Sequence, residues 1–436
     1  MTDRALVVGL GVAGASAAHR LAQRGWQVTV VEDRPSDASR ARAGELGVEV
    51  VEAPADVTAL VDAADVIVPS PGVPIGHPAI QHALATDTRV WTEFELAARW
   101  SDVPMVAITG TNGKTTVTTL VASMLEASGL RTVAAGNTDV PLVDAIEDDL
   151  DVVVVEASSF RLEFTETFRP AVAVWLNLAE DHLDWHPSID AYVAAKARIW
   201  AAQGPDDLAV VNAEDPVVMA EAASAPGRVE TFGLATGDWH VADGSLVRPD
   251  GSALVAVDDL WRSLPHDCTN ALAAAAAALA AGATVDGVRD ALRSFRGLPH
   301  RLALVGDDGG VRFYDDSKAT DPHATVAALR SFDSAVLIAG GRNKGLDLSV
   351  LADEIGHVRA VVGIGESGPD VLAAFGGRVP VTLAASMDDA VAAARAFAEP
   401  GDAVVLSPGC ASFDWYRGYG ERGDDFARAV REALAS

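Results

Sequence analysis

The sequence predicts an α/β protein of two or three domains built on parallel sheets, and three observations carry that expectation. At 436 residues the chain is too long for one hydrophobic core. Strand-like runs alternate with helical stretches along its whole length. Many of these runs are continuously apolar, as expected of strands covered on both faces. An apolar fraction of 49% and a charged fraction of 22% exclude a disordered or fibrous chain.

In order, the strand-like runs are Ala5–Leu10, Val28–Glu32, Val66–Val68, Met105–Thr109, Val152–Glu156, Ala171–Leu178, Ala335–Ala339, Ala360–Ile364 and Ala403–Leu406. Seams fall near Trp91, where a strand gives way to the helical run Glu93–Trp100, and near Gly297-Leu298-Pro299. They divide the chain into 1–91, 92–297 and 298–436. Ala15-Ser16-Ala17 imitates a leader-cleavage site, but no positive stretch precedes the apolar run. The Ala-rich run Ala271–Ala283 is too short to span a bilayer. The expectation is a cytoplasmic protein with no membrane partner.

The net charge is −29, which argues against a broad basic face for nucleic acid. Two cysteines, Cys268 and Cys410, exclude a disulfide framework and a four-cysteine zinc site. Of the 33 basic residues only four are lysine: Lys114, Lys196, Lys318 and Lys344. Three of them follow strand-like runs, where α/β sheets bind ligands.

Gly9-Leu10-Gly11-Val12-Ala13-Gly14 follows the first strand, and Glu32 ends the second. Such glycines bring backbone close to a pyrophosphate at a helix N-terminus, while the acid suits a ribose hydroxyl. NAD(P) and any other diphosphate-bearing nucleotide fit that pattern equally. Gly110-Thr111-Asn112-Gly113-Lys114-Thr115-Thr116, between the strand Met105–Thr109 and a helical run, reads as a phosphate cradle. Its amides wrap phosphates, Lys114 pairs with β/γ oxygens and Thr115 suits Mg²⁺. Ile108 stands where the longer form of this loop has Gly. Glu156 ends a buried strand, and Asn177, Glu180, Asp181, His182 and Asp184 crowd the end of the next. Oxygen donors with one imidazole suit Mg²⁺ or Mn²⁺. Lys344 lies in the Gly-rich turn Gly340–Gly345, suited to an anion.

Together these segments resemble the Mur ligases, three-domain ATP-dependent amide-forming enzymes of peptidoglycan synthesis. The resemblance rests on Gly110–Thr116, Glu156-Ala-Ser-Ser-Phe160, Asn177-Leu-Ala-Glu-Asp-His182, Pro299-His-Arg301, Asp316-Ser-Lys-Ala-Thr320 and Gly340-Gly-Arg-Asn-Lys344. It spans the whole chain in order. It implies an N-terminal Rossmann-like domain that binds a UDP substrate, a central P-loop ATPase-like domain and a C-terminal Rossmann-like domain that binds an amino acid. Gly9–Gly14, Ser70-Pro71-Gly72, Gly136-Asn137 and Leu406–Phe413 resemble the members that add D-glutamate to UDP-N-acetylmuramoyl-L-alanine through an acyl phosphate.

The resemblance implies the following roles. Gly110, Thr111, Asn112, Gly113, Lys114, Thr115 and Thr116 hold ATP phosphates, with Asn270 near the purine and Arg301, Asp316 and Lys318 reaching ATP from the third domain. Thr115 and Glu156 serve one Mg²⁺, and His182 and Lys196 a second. Lys196 would do so as a CO₂-derived carbamate, because an ammonium cannot ligate a dication. Lys114, Glu156, His182 and Lys196 are thus the expected catalytic set. The UDP substrate uses Val12, Ala13, Gly14, Glu32, Asp33, Arg34, Ser70, Pro71, Gly72, Asn137 and Ser158. D-Glutamate uses Thr320, Lys344, Ser412, Phe413 and Tyr419. A monomer with small-molecule partners only is expected. The chain departs from the family pattern at Asp267, at Thr138-Asp139 and at Tyr419, where Asn, Ile-Gly and Phe are usual.

Other readings leave more unexplained. A related ligase adding another amino acid keeps every motif. An NAD-dependent oxidoreductase leaves the phosphate loop and the four lysines without a role, and a non-catalytic nucleotide-binding module would require Glu156, His182 and Lys196 each to tolerate substitution.

Overall fold

The computed structural model describes residues 2–183 and 185–435, so Asp184 of the expected acidic cluster lies outside the described residues. Three α/β sheets follow in chain order. The first contains β1 (Arg4–Val8), β2 (Gln27–Glu32), β3 (Glu49–Glu52), β4 (Val66–Pro69) and β5 (Arg89–Val90), all parallel, in the order β3-β2-β1-β4-β5. The second contains β6 (Met105–Thr109), β7 (Thr132–Gly136), β8 (Val152–Glu156), β9 (Val172–Trp175), β10 (Leu208–Asn212) and β11 (Arg228–Phe232). Its order is β11-β10-β9-β6-β8-β7, again parallel throughout.

An antiparallel meander of β12 (His240–Ala242), β13 (Ser245–Val247) and β14 (Ala253–Ala256) follows. The last sheet contains β15 (Ala303–Asp308), β16 (Val311–Asp315), β17 (Ala335–Gly340), β18 (Val358–Ile364), β19 (Val381–Leu383) and β20 (Ala403–Leu406). Its order is β15-β16-β20-β17-β18-β19, with only the edge pair β15–β16 antiparallel. The α/β reading therefore holds, and all nine apolar runs are strands. The sixth is shorter than expected, ending at Trp175, beyond which the Asn177 carbonyl accepts from the Thr111 amide of the phosphate loop.

The chain forms two compact units. One runs to Leu178 and includes Trp185–Ser263 and Asp267–Phe295. The other comprises everything from Arg296 on, Leu264–His266 and the loop beginning at Ala179. The break at Arg296 falls one residue before Gly297. The Trp91 seam lies inside the first unit, because one apolar cluster runs from Val7, Val30 and Val66 of the first sheet through Phe94 and Leu96 to Val153 and Ala173 of the second. The helix Glu93–Trp100 carries the joint, with Phe94 stacked on Phe168 at 5.2 Å between centroids. Two buried carboxylates sit in its first turn. Glu95 accepts hydrogen bonds from the amides of Glu166 and Thr167, and Glu93 accepts one from the amide of Val143 and pairs with Arg161.

The Ala-rich segment is the buried helix Pro265–Ala280, whose residues Ala271–Ala278 are almost wholly inaccessible. Among the described residues no helix is long and apolar enough to cross a membrane.

Gly14 shows how tightly the first helix, Val12–Gln23, docks on its sheet. A Cβ there would lie 2.2 Å from both the Gly9 carbonyl oxygen and Ser70 Oγ. Gly14→Ala is expected to cost about 1–3 kcal/mol by overpacking, measured by denaturant unfolding. At the surface, hydrogen bonds from Arg131 hold the Asp151 carboxyl down to about 2. A carboxyl with a lowered folded-state pKa stabilises fully above its unfolded value and loses that contribution as pH falls through the folded one. The stability difference between wild type and Arg131→Gln is therefore expected to shrink between about pH 4 and pH 2, read from unfolding curves across that range.

Candidate active site

In the second sheet, β6 lies between β8 and β9, so the loops leaving the C-terminal ends of these three strands converge. The loop after β6 reaches the helix Lys114–Ala127 through Gly110 (φ +151°) and Gly113 (φ +87°), the latter capping the helix in a left-handed conformation. Neither backbone angle suits a residue with a Cβ. Asn177 braces the loop. Its Oδ1 accepts from the Asn112 amide at 2.9 Å, its Nδ2 donates to the Asn112 carbonyl at 3.1 Å, and its own carbonyl accepts from the Thr111 amide at 3.1 Å.

Lys114 Nζ donates to the carbonyls of Gly110 and Thr111 at 2.7 and 2.8 Å. Lys196, only 1% exposed, donates to the same Gly110 carbonyl at 2.9 Å, from the helix Ile189–Ala197. Its Nζ lies 4.5 Å from the centre of the Tyr192 ring, and the Tyr192 hydroxyl is 3.3 Å from Thr111 Oγ1. Tyr192 was not foreseen, although its spacing of four from Lys196 places both on one helix face.

Glu156 ends β8, 3% exposed. Its Oε1 accepts from Asn137 Nδ2 at 2.9 Å, while its Oε2 is buried without a hydrogen-bond partner among the described residues. An acceptor left in that state fits a hard cation. The Ser158 hydroxyl is likewise buried without one. Among the described residues no three His, Cys, Asp or Glu side chains gather as a metal cluster, so a cation here would draw on Thr115 and on ligand oxygens as well.

Asn270 lies against the loop, because a Cβ on Gly113 would come within 2.7 Å of Asn270 Oδ1. Asp267, one of the departures from the family pattern, is 2% exposed and held by Arg262 through two hydrogen bonds of 2.6 and 2.8 Å. Its charge is neutralised inside the protein, and Arg262 is the partner that no sequence pattern signalled.

The N-terminal sheet turns at β1 and β4, and a cavity of about 350 Å³ opens there. Of the expected residues, Val12, Ala13, Glu32, Ser70, Pro71 and Gly72 line it. Gly14 is instead packed against Gly9 and Ser70. Both Glu32 oxygens are engaged, accepting from the Leu10 and Arg34 amides at 2.8 and 3.0 Å. Asp33 lines a separate cavity of about 380 Å³ and meets His77 Nε2 at 2.7 Å. Asn137 faces Glu156 rather than this cavity. Arg161, unforeseen, lines the cavity.

In the second unit, β16, β20 and β17 are neighbours, so the expected residues Asp316, Lys318, Ser412, Phe413 and Lys344 follow adjacent strand ends. The loops after β17 and β20 are cross-linked by paired hydrogen bonds between Arg342 and Ala411. Asp316 is buried, accepting from the Leu302 amide at 3.2 Å and from the Ser407 hydroxyl at 2.8 Å. Lys318 Nζ lies 5.3 Å from the centre of the Tyr419 ring. Ser412 is buried, Thr320 half-buried, and Phe413 and Tyr419 exposed.

Arg422, another residue not foreseen, is 1% exposed and ties these loops together. It donates to the Ser317 hydroxyl and carbonyl at 2.9 and 2.8 Å and to the Cys410 carbonyl at 3.1 Å, and burial lowers its pKa to about 10. His300, beside Arg301, adopts a left-handed φ of +59° and meets Asp315 at 2.6 Å. His182 is also left-handed, at +57°, with its Nε2 3.2 Å from Asp181, whose other oxygen is 3.7 Å from Lys344 Nζ. Such backbone outliers collect at functional sites.

Comparison with known proteins places three domain models along the chain. Residues 3–92 match the Mur ligase MurD-like N-terminal domain, 108–278 the Mur ligase middle domain and 300–410 the Mur ligase glutamate ligase domain. The chain is 45% identical to a UDP-N-acetylmuramoylalanine--D-glutamate ligase of Frankia casuarinae, over 98% of this chain and 93% of that one. It is 42% identical to the protein of that name from Shouchella clausii, over 99% and 97%. Solved structures share the fold at lower identity. They include the UDP-N-acetylmuramate-alanine ligase MurC of Thermotoga maritima (TM-score 0.61, 18% identity, 99% and 100% covered) and MurF of Acinetobacter baumannii (0.63, 17%, 99% and 93%). With three successive domain models matched and relatives above 40% identity along nearly its full length, the chain belongs to the Mur ligase family.

Proposed function

We propose that this protein is an ATP-dependent amide ligase that joins D-glutamate to UDP-N-acetylmuramoyl-L-alanine, releasing ADP and phosphate, in cytoplasmic peptidoglycan precursor synthesis. The observation that carries the reading is the meeting of Lys114 and Lys196 on the Gly110 carbonyl, in the same sheet whose next strand end presents Glu156. This is a phosphoryl-transfer centre with a second buried lysine, which a simple nucleotide-binding module does not need. The full-length relatives named for D-glutamate addition supply the substrate.

In this reading residues 1–91 hold the UDP substrate, 92–297 ATP and 298–436 D-glutamate, in a monomer. Lys114 and the amides of Gly110–Thr116 hold the β- and γ-phosphates. The terminal carboxylate of the UDP substrate attacks the γ-phosphorus, the bond to the β-phosphate oxygen breaks, and ADP leaves. The amine of D-glutamate, held through Lys344, Thr320, Ser412, Phe413 and Tyr419, then attacks the acyl carbon. The tetrahedral intermediate expels phosphate, and the nitrogen loses a proton. Positioning and charge neutralisation do most of this work. Thr115 and Glu156 would hold one Mg²⁺ and His182 with carbamylated Lys196 a second. When bound, these ions neutralise developing phosphate charge, and Mn²⁺ suits the same oxygens. Asn270, Arg301, Asp316 and Lys318 orient the nucleotide.

The decisive assay is phosphate release against a panel of amino acids. Release should require ATP, Mg²⁺, the UDP-muramoyl acceptor and D-glutamate together. A faster rate with another amino acid would reassign the substrate, and full release without the acceptor would reject the ligase.

Lys196 gives a second test. Lys196→Ala is expected to lose at least about a hundredfold in kcat and to regain part of it with a short carboxylic acid that replaces the carbamate. Lys196→Arg, which cannot be carbamylated, should stay inactive. Near-wild-type turnover by the arginine variant would overturn the carbamate.

A further inference from the structure

Trp185 is not among the expected site residues, yet it joins two of the segments that carry them. Its indole Nε1–H donates at 3.0 Å to the carbonyl of Val73, 112 residues earlier in the chain. Val73 lines the N-terminal cavity and ends the turn Ser70–Val73, which its own amide closes on the Ser70 carbonyl at 2.9 Å. The other end of that turn is anchored too, because Ser70 Oγ donates to the Gly9 carbonyl at 3.0 Å. A Cβ on Gly9 would lie 3.2 Å from Val73 Cγ2, so Val73 also packs close to the Gly9 backbone.

The indole itself is held by rings of the second sheet's domain. It meets Phe160 at 4.8 Å and His186 at 4.5 Å between centroids, and Phe160 and His186 stack on each other at 5.7 Å. Packed rings of this kind fix one another's orientation. His186 is buried, with its Nε2 2.9 Å from the hydroxyl of Ser159 and its ring 5.2 Å from that of Tyr192. Tyr192 lies beside the Lys196 ammonium and reaches Thr111 of the phosphate loop. The ring cluster is therefore seated on the segments that carry Glu156 and Lys196, while the one polar atom of the indole holds the cavity rim.

We propose that Trp185 is a positioning residue that sets the distance between the Ser70–Val73 turn and the phosphate loop. The assignment rests on the reading of the protein as a ligase for a UDP-linked carboxylate. Such a substrate is held at its nucleotide end by the first sheet, while its carboxylate must meet the γ-phosphorus at the second. A misplacement of about 1 Å along that span is enough to slow the reaction severely. UDP alone engages the first sheet only and does not register the span. Removing the indole N–H unties the turn from the ring cluster without altering a group that holds ATP.

The test is Trp185→Phe in the full-length protein, which keeps a ring against Phe160 and His186 and removes only the donor. Titration calorimetry compares UDP with the complete UDP-N-acetylmuramoyl-L-alanine, and steady-state kinetics give the KM for ATP. Affinity for the complete substrate should fall about tenfold, while UDP affinity and the KM for ATP stay within about twofold. Unchanged affinity for the complete substrate would overturn the proposal. So would a parallel loss of UDP, which would mean damage confined to the turn, or a matching rise in the KM for ATP, which would mean a distorted phosphate loop. Failure of the wild-type protein to bind the complete substrate would instead remove the ligase reading itself.

Discussion

The carbonyl oxygen of Gly110 is the point on which the centre of this protein is organised. It accepts hydrogen bonds from two lysines that are 82 residues apart, one in the phosphate loop and one on a later helix. For both ammonium groups to reach it, the peptide after β6 must turn its oxygen inward. The backbone angle of Gly110 allows that turn, and Asn177, two residues beyond β9, braces the loop at Asn112. Lys196 could not be buried there without an acceptor, so the loop and the helix Ile189–Ala197 fix each other's position. Asn137 holds Glu156 at the end of β8, and the register of β6 on β8 pairs Glu156 with Ile108, two residues before Gly110.

The same logic repeats in each sheet. Strand order reverses at β1/β4, at β6 between β8 and β9, and at β20 between β16 and β17, and the expected binding residues collect at these reversals. A parallel strand places its amide-rich loop and the following helix N-terminus at one end. Reversal separates neighbouring crossover helices and leaves room there for a ligand.

Much of this was legible in the sequence for a specific reason. Strands buried on both faces appear as unbroken apolar runs, and loops that must approach phosphate appear as glycines followed by lysine. Residues whose role depends on a partner distant in sequence left no such trace. Asp267 looks like a departure from a binding pattern until Arg262 is seen to hold it. Arg422 sits in an amphipathic helix and looks like a surface cation, yet it is buried between two loops. Glu93 and Glu95 mark the start of a helix by composition, while their buried partners Arg161 and the Glu166–Thr167 amides come from elsewhere in the chain. The antiparallel meander β12–β14 was missed because its short segments, His240–Ala242, Ser245–Val247 and Ala253–Ala256, mix polar with apolar residues between close turns and show neither an unbroken apolar run nor a period.

Those partners also give the basic residues a division of labour. Arginine makes the structural ion pairs: Arg131 with Asp149 and Asp151, Arg359 with Asp402, and Arg428 with Asp388 and Asp425. Its planar fork suits two carboxylate oxygens at once, and the many acids of this chain supply them. Lysine is kept where a fork would not serve. Lys114 and Lys196 both place a compact ammonium on one backbone carbonyl, that of Gly110. The scarcity of lysine, which looks at first like a compositional bias, thus isolates the positions where arginine cannot substitute.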